Sequence, residues 1–215
     1  MKKAILAVVL SAVLPTAFAD GKITVGGQMV KDTNLAVTTA VEHSKEYGSW
    51  QHVLEANYIY LYNEKNNTRA RNEGYFSFKE NYALDEKSYA IGWVRHDYDE
   101  FRNDSNRSTL SLGYGYKLLR TDRMKVSNEF SVGQMSHNLG WSDVVSNSLW
   151  VSYKVAKRVT FVNKFLIDWA DQQYVRNRTE LNYQFDDGVI LAVTNLYTKD
   201  PIVDNITTFN VGTNF

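Results

Sequence analysis

Apolar and polar residues alternate with a period of two along most of the chain after residue 20. A clear case is the run from Leu110 to Leu118. Its even positions are all Leu or Tyr, whereas Ser111, Gly113, Gly115 and Lys117 lie between them. Because successive side chains of a strand point to opposite faces, this pattern predicts strands with one apolar and one polar face. Helical periodicity is rare, so the sequence predicts an all-β protein.

Twelve segments show this alternation, and the lengths of the connections between them follow a regular order. The predicted strands are 22–30, 35–46, 50–63, 73–83, 87–98, 108–119, 124–136, 144–155, 158–169, 174–185, 189–198 and 205–215. Short turns alternate with connections that are mostly longer and more polar, among them Asn63–Asn72, Asp99–Arg107, His137–Asp143 and Lys199–Asp204. Short turns at one end, long loops at the other and an even number of strands are typical of outer-membrane barrels. We therefore predict an antiparallel transmembrane β-barrel of about 12 strands within residues 20–215.

The two ends of the chain favour a membrane barrel over a soluble antiparallel barrel, which would bury its apolar face inside. Residues 1–19 have the basic start, short apolar run and Ala17-Phe18-Ala19 end of a cleaved signal peptide. The last strand ends on Phe215, like the terminal strand by which outer-membrane barrels are recognised for assembly. We expect the barrel-assembly machinery and periplasmic chaperones as partners during biogenesis, and outer-membrane lipid and lipopolysaccharide afterwards. Both termini would then be periplasmic.

The composition excludes several other classes. The chain has no Cys, so it has neither a disulfide scaffold nor a thiolate metal site. Its 24 basic and 24 acidic residues balance, which argues against nucleic acid as a partner. The 14 Tyr and 5 Trp suit the aromatic girdles of a transmembrane barrel.

The polar faces of the predicted strands supply the candidate functional residues, because they would line the lumen. The candidates are Glu42, Glu55, Lys79, Lys117, Glu129, Lys154, Lys164, Asp168, Arg176, Arg178 and Glu180. Lys154, Lys164, Arg176 and Arg178 give the later strands a basic tilt that would attract anionic solutes. The alternative interpretation is that the candidate residues, which include both positive and negative side chains, form a salt-bridge network that fills a narrow barrel. Twelve strands lie between the roughly 8 whose interior side chains fill and the roughly 16 that leave an open channel.

Catalytic and metal-binding patterns are weak. Ser136-His137-Asn138 is the best local candidate for a hydrolase, but adjacent strand residues point to opposite faces and do not easily form a nucleophile–base pair. His96, Asp97 and Asp99 contain metal-ligand types without a defined spacing. We expect no enzyme activity and no cofactor.

One stretch carries a family resemblance. The run from Asp85 to Phe101, the segment Leu112 to Leu119 and the final strands from Arg178 to Phe215 resemble an uncharacterised family of bacterial outer-membrane proteins described as salt-induced. The resemblance implies an outer-membrane barrel and a link to salt or osmotic stress. Its motifs are turn and girdle patterns, not a catalytic signature.

Three hypotheses of function follow. The first is a narrow channel for small solutes in the outer membrane of a Gram-negative bacterium. The second is a closed structural or stress-response barrel without transport. The third, an outer-membrane lipid-modifying enzyme, has the least support from the sequence.

Overall fold

A computed structural model describes residues 21–30, 34–63, 68–100, 106–138, 140–200 and 202–214. The predicted signal peptide and the predicted assembly residue Phe215 lie outside these residues. The twelve strands are β1 (Gly21–Val30), β2 (Asn34–Tyr47), β3 (Trp50–Asn63), β4 (Thr68–Ala83), β5 (Ser88–Asp99), β6 (Asn106–Arg120), β7 (Met124–His137), β8 (Gly140–Ala156), β9 (Val159–Trp169), β10 (Gln173–Gln184), β11 (Val189–Asp200) and β12 (Ile202–Asn214). Within the described ranges, no helix is long and apolar enough to cross a bilayer.

Each strand pairs antiparallel with its neighbours in the chain, and β1 pairs with β12 to close the barrel. Closure leaves no edge strand, so the ladder satisfies the backbone polar groups without water. The all-β antiparallel barrel of twelve strands predicted from the period-two pattern is confirmed.

The strands are longer at one end of the barrel than the sequence suggested. Predicted loops at 137–143 and 199–204 are largely strand, because His137 pairs with Gly140 and Asp200 pairs with Ile202. β4 likewise begins at Thr68 instead of residue 73, and Thr68 pairs with Asn63. These extensions are polar, so they carry no period-two signal, yet the backbone continues its ladder. We call this the loop end, and the end with the five short turns the turn end.

The turns at the turn end are short for a local reason. Tyr47 pairs directly with Trp50, so only Gly48 and Ser49 connect β2 to β3. Gly48 has a φ of 59° and Gly188 a φ of 84°, values that L side chains rarely adopt. Glycine at these positions permits the tight hairpins that the twist of the strands requires.

The barrel is apolar outside and polar inside. Large apolar side chains of every part of the wall are exposed, including Leu112 at 69%, Phe209 at 67% and Leu110 at 62%. Conversely, Arg95, Asp97, Arg107 and Glu180 are buried. A soluble barrel would have the reverse arrangement, so this polarity is that of a barrel surrounded by lipid.

Aromatic residues mark both rims of the apolar exterior. Trp50 and Tyr82 pack together at the turn end, with ring centroids 4.8 Å apart, and both are largely exposed. Trp141 and Trp169 are exposed at the loop end. Such aromatic belts lie where a bilayer meets water.

Candidate functional site in the barrel interior

The lumen is divided into two unequal spaces. A cavity of about 820 Å³ occupies the half next to the short turns, reaching rim residues such as Glu46, Arg120 and Gln184. A second cavity of about 40 Å³ lies in the other half and is lined by residues near the loop end, such as Asp99 and Lys199. We call these regions the turn half and the loop half. Arg95, Tyr75, Leu166 and Arg176 line both cavities and separate them.

The turn half carries an excess of positive charge. Ten Lys or Arg residues and five Glu residues line the large cavity. The cations are Lys22, Lys79, Arg95, Lys117, Arg120, Lys125, Arg158, Lys164, Arg176 and Arg178, and the anions are Glu42, Glu46, Glu55, Glu129 and Glu180. Arg95, Arg158 and Arg176 pair with Asp168, Asp186 and Asp97, which do not line this cavity, so the surplus of positive charge is smaller than the two counts alone suggest.

Part of this charge forms a chain of ion pairs across the middle of the barrel. Lys164 Nζ lies 2.5 Å from Glu55 and 3.1 Å from Glu42, and Arg178 Nη1 lies 3.1 Å from the same Glu42 oxygen. Arg178 also pairs with Glu180, whose other oxygen is 2.9 Å from Lys22. The chain of ion pairs thus contains three carboxylates and three cations in alternation, and their charges cancel. In order, the residues are Glu55, Lys164, Glu42, Arg178, Glu180 and Lys22.

A second cluster fixes Glu129 on β7. Lys79 Nζ donates to its two oxygens at 2.7 and 2.8 Å, the Tyr89 hydroxyl donates at 2.9 Å, and the Ser148 hydroxyl donates at 3.0 Å. Tyr89 can lie against the wall because Gly115 opposes it: a Cβ at residue 115 would come within 2.2 Å of the Tyr89 ring. Glu129 is therefore fully engaged by these neighbours.

Three cations near the turn end have no such carboxylate. Lys117, Arg120 and Lys125 line the cavity, and none of them makes an ion pair within the described part of the chain. A β-bulge between Lys117 and Leu119 shifts the register, which brings both Lys117 and Arg120 to the cavity although they are an odd number of positions, three, apart in the chain. Arg120 then lies directly opposite Lys125, and like charges in that position repel.

The loop half is closed by a compact group of charged and aromatic side chains. Arg95 donates through Nε to Asp97 at 2.8 Å and through Nη2 to Asp168. Asp97 also accepts from Arg176 at 2.7 Å, and Asp168 accepts from the Ser146 hydroxyl at 2.6 Å. The side chains of Arg95 and Asp168 are only 5% and 2% exposed.

Stacked rings and apolar residues fill the remaining space of the loop half. The Arg176 guanidinium lies 4.4 Å from the Tyr75 ring centroid, and that of Arg107 lies 3.9 Å from the Tyr174 centroid. Ile59, Leu196 and Ile206 form a buried apolar cluster on another part of the inner wall. The loop half is therefore the constriction of the lumen.

The structure brings most of the sequence-predicted residues together in the interior. Residues Glu42, Glu55, Lys79, Lys117, Glu129, Lys164, Arg176, Arg178 and Glu180 line the large cavity. Asp168 lines the small one. Lys154 lies opposite Thr160 of the inner wall but is exposed and lines neither cavity. The assembly residue Phe215 falls outside the described residues.

Sequence reasoning missed Arg95, Asp97 and Lys22. Around Trp93 to His96 both faces of the strand carry apolar and polar residues, which fits either a bulge or a strand packed against the contents of the lumen. β5 pairs in continuous register with both of its neighbours, so no bulge is present there. Trp93 instead points inward, where its indole N–H donates to Ser77 at 2.7 Å. Arg95 and Asp97 were detectable as opposite charges two residues apart, which a strand places on one face.

The fold places the residues of the weak catalytic and metal-binding patterns on opposite faces of the barrel wall. Ser136 and His137 are consecutive residues of β7 and so lie on opposite faces of the wall. His96 lies outside the barrel with Ser108, 2.9 Å away, whereas Asp97 is inside. Across the described ranges, no group of three or more His, Cys, Asp or Glu residues is placed to hold a metal ion.

Solved porin structures share this fold at low sequence identity. The NanC porin is 14% identical, with a TM-score of 0.56 over 92% of this chain and 99% of that chain. The KdgM porin is 11% identical, with a TM-score of 0.53 over 90% of this chain and 98% of that chain. A further structure, the KdgM porin in complex with disordered oligogalacturonate, is 8% identical with a TM-score of 0.50. At these identities the likeness shows the fold alone.

Sequence comparison gives a family but no characterised relative. No curated protein matches the chain significantly. One family model, however, matches residues 26–205, which is most of the barrel wall described above. The chain therefore belongs to the family described as DUF481, a protein of unknown function.

Proposed function

We propose that this protein is a narrow outer-membrane channel for small anionic solutes. The observation that carries the proposal is the cavity of about 820 Å³ inside a lipid-facing barrel, in whose wall Lys117, Arg120 and Lys125 make no ion pair within the described part of the chain. An anion that enters this space gains attraction from several side chains at once, because the low-dielectric wall of the barrel focuses their field into the lumen.

The location in the outer membrane is part of the proposal. The apolar exterior between two aromatic belts supports a bilayer location, and closed β-barrels of this type are outer-membrane structures. Short turns at the end that carries both termini support a periplasmic position for that end. The large cavity would then open to the periplasm, and the constriction would lie towards the cell exterior. Lipid, lipopolysaccharide and the assembly machinery remain expected partners on the same grounds.

The ion preference of the refolded barrel tests the proposal. The barrel is reconstituted in a planar bilayer with a KCl gradient, and the reversal potential is measured. We expect a potential of the sign that indicates chloride preference. The triple variant Lys117→Gln, Arg120→Gln and Lys125→Gln should lose most of this preference, because these three cations have no neutralising partner in the described part of the chain.

Arg123→Gln with Lys157→Gln is the matched control, since both residues are exposed near the turn end but do not line the cavity. The control should keep the wild-type reversal potential. Cation preference in the wild type, or equal loss in the triple variant and the control, contradicts the proposal.

A closed barrel without transport is the second candidate, and the packing of the loop half favours it. Arg95, Asp97 and Asp168 are buried and mutually paired there, and the cavity beside them holds only about 40 Å³. The two candidates differ in one observable, which is current through the wild-type barrel. A role in salt stress remains a prediction of the family resemblance, and comparing envelope integrity of cells with and without the protein at high salt tests it.

A further inference from the structure

We infer that the β6–β7 hairpin and the adjoining strand β8 form a binding site for an acidic oligosaccharide at the turn-end mouth of the cavity. The site consists of Lys117, Arg120, Lys125, Ser127 and Trp150, all of which line the cavity. This inference names the solute class of the proposed channel, and it rests on that proposed function for the route by which the ligand arrives.

The first step is the shape of the wall. Lys117, Ser127 and Trp150 occupy one row across three neighbouring strands, because Lys117 pairs with Ser127 and Ser127 pairs with Trp150. Directly opposed residues share a face, and neighbouring strands are ~4.8 Å apart, so Lys117 and Trp150 stand about 10 Å from each other. The small Ser127 between them forms the floor of a groove, with a cation on one side and an aromatic ring on the other.

The second step is the charge. Arg120 and Lys125 oppose each other one position nearer the rim, where their repulsion costs stability unless an anion lies between them. The nearest carboxylate on the inner face of β7 is Glu129, but Lys79, Tyr89 and Ser148 already engage both of its oxygens. The groove therefore presents three positive charges that make no ion pair among the described residues, although Lys117 also acts at longer range on Asp85 of the β4–β5 turn.

The third step is the kind of ligand that uses both features. Inorganic anions would need the cations but not the ring. A saccharide that carries carboxylates pairs its acid groups with Lys and Arg and packs the C–H face of its ring on an aromatic side chain. The cavity volume is also in the range of pockets that hold molecules larger than a single small ion.

Calorimetric titration of the full-length refolded barrel in detergent tests the site. The probe is trigalacturonate at constant ionic strength, and maltotriose is the neutral saccharide of equal length. We expect saturable binding of trigalacturonate and none of maltotriose. Lys117→Gln, Arg120→Gln and Lys125→Gln together should weaken binding at least tenfold, and Trp150→Phe should weaken it less. The control pair Arg123→Gln and Lys157→Gln should bind as the wild type does.

Three results overturn the inference: maltotriose binding as tightly as trigalacturonate, unchanged affinity in the triple variant, or inorganic phosphate alone binding as tightly as trigalacturonate. Heat-dependent gel mobility verifies that each variant is folded. A barrel that binds trigalacturonate but passes no current refutes the channel and not the site. A barrel that conducts anions without binding trigalacturonate refutes this site alone.

Discussion

Both halves of the lumen are lined by charged residues, but the two halves hold their charges in different ways. In the turn half, Lys117, Arg120 and Lys125 line the cavity without an ion pair in the described part of the chain, and Arg120 and Lys125 are exposed. In the loop half, Arg95 and Asp168 are almost fully buried and paired with each other. Solvated, unmatched charge attracts a solute, whereas desolvated, matched charge fills space. The comparison assigns selectivity to the turn half and the limiting width to the loop half.

The largest loss of stability should come from the loop half. Asp168→Asn removes the negative charge that pairs with Arg95 in a site where both are buried, so we expect a loss of about 3 kcal/mol in the free energy of unfolding. Urea unfolding of the barrel in lipid vesicles measures it. Asp186→Asn is the matched control, because it breaks a pair with Arg158 at the turn end in which the Asp186 side chain is 82% exposed. The control should cost no more than about 1 kcal/mol. Equal costs would refute the difference between the two environments.

A smaller loss should come from the packed part of the turn-half wall. In Gly115→Ala the new methyl group would come within 2.2 Å of the Tyr89 ring, so Tyr89 must move and its bond to Glu129 is weakened. We expect a loss of roughly 1–3 kcal/mol, as for other overpacked sites. Gly92→Ala on the neighbouring strand is the control, since the nearest atom to its new Cβ would be 4.0 Å away. A cost of Gly115→Ala no larger than that of Gly92→Ala would show that Tyr89 is not held in this way.

Neutralising the mouth should barely change stability. Lys117→Gln, Arg120→Gln and Lys125→Gln remove charges that lack a carboxylate partner among the described residues, and Arg120 and Lys125 oppose each other. We expect a change within about 0.5 kcal/mol, with a slight gain from the relieved repulsion. The same urea experiment measures it, and low salt should enlarge the gain because screening is weaker. A large loss would mean that these cations hold the barrel together.

The smallest effect should come from a turn outside the lumen. The Ser88 hydroxyl and then the backbone N–H groups of Lys87 and Ser88 donate to the Asp85 carboxylate, and these bonds hold the pKa of Asp85 below its ordinary value of 3.8. A lowered pKa stabilises the fold above pH 3.8, and this contribution is lost as the pH falls through the lower folded-state value. The stability difference between wild type and Asp85→Asn should therefore shrink in acid. Glu86→Gln, which removes one charge from the same turn, should show no such convergence.

The sequence predicted the architecture because the barrel imposes one local rule on every strand. Residues such as Leu110 and Leu112 had to face lipid and alternate with small or polar neighbours, so both strand number and facing were visible in the pattern. The polar ends of β4 and β8 could not be predicted from the alternation of apolar and polar residues. Outside the bilayer neither face needs to be apolar, and only the hydrogen-bonded ladder continues.

The interior was predictable by residue type but not by partner. Lys164 and Glu55, or Arg95 and Asp168, are far apart in sequence and meet only across the lumen. Strand alternation says which residues point inward but not at what height or towards which wall. Arg95 and Asp97 were missed because Trp93 lies on the same inward face. An aromatic residue inside a polar lumen breaks the alternation by which the two faces are identified. Its indole N–H is nevertheless satisfied there, since it donates to Ser77.

Single-channel conductance of a charge-balanced double variant tests the central claim most directly. Arg95→Ser with Asp168→Ser removes the buried Arg95–Asp168 pair and the Arg95–Asp97 contact from the constriction, and it leaves Asp97 paired with Arg176. Arg158→Ser with Asp186→Ser removes one exposed pair at the turn end and serves as the control. We predict a conductance several-fold above wild type for the first variant and an unchanged conductance for the second. Equal conductance in all three proteins, or no current in any of them, would contradict a channel whose width is set by the loop half.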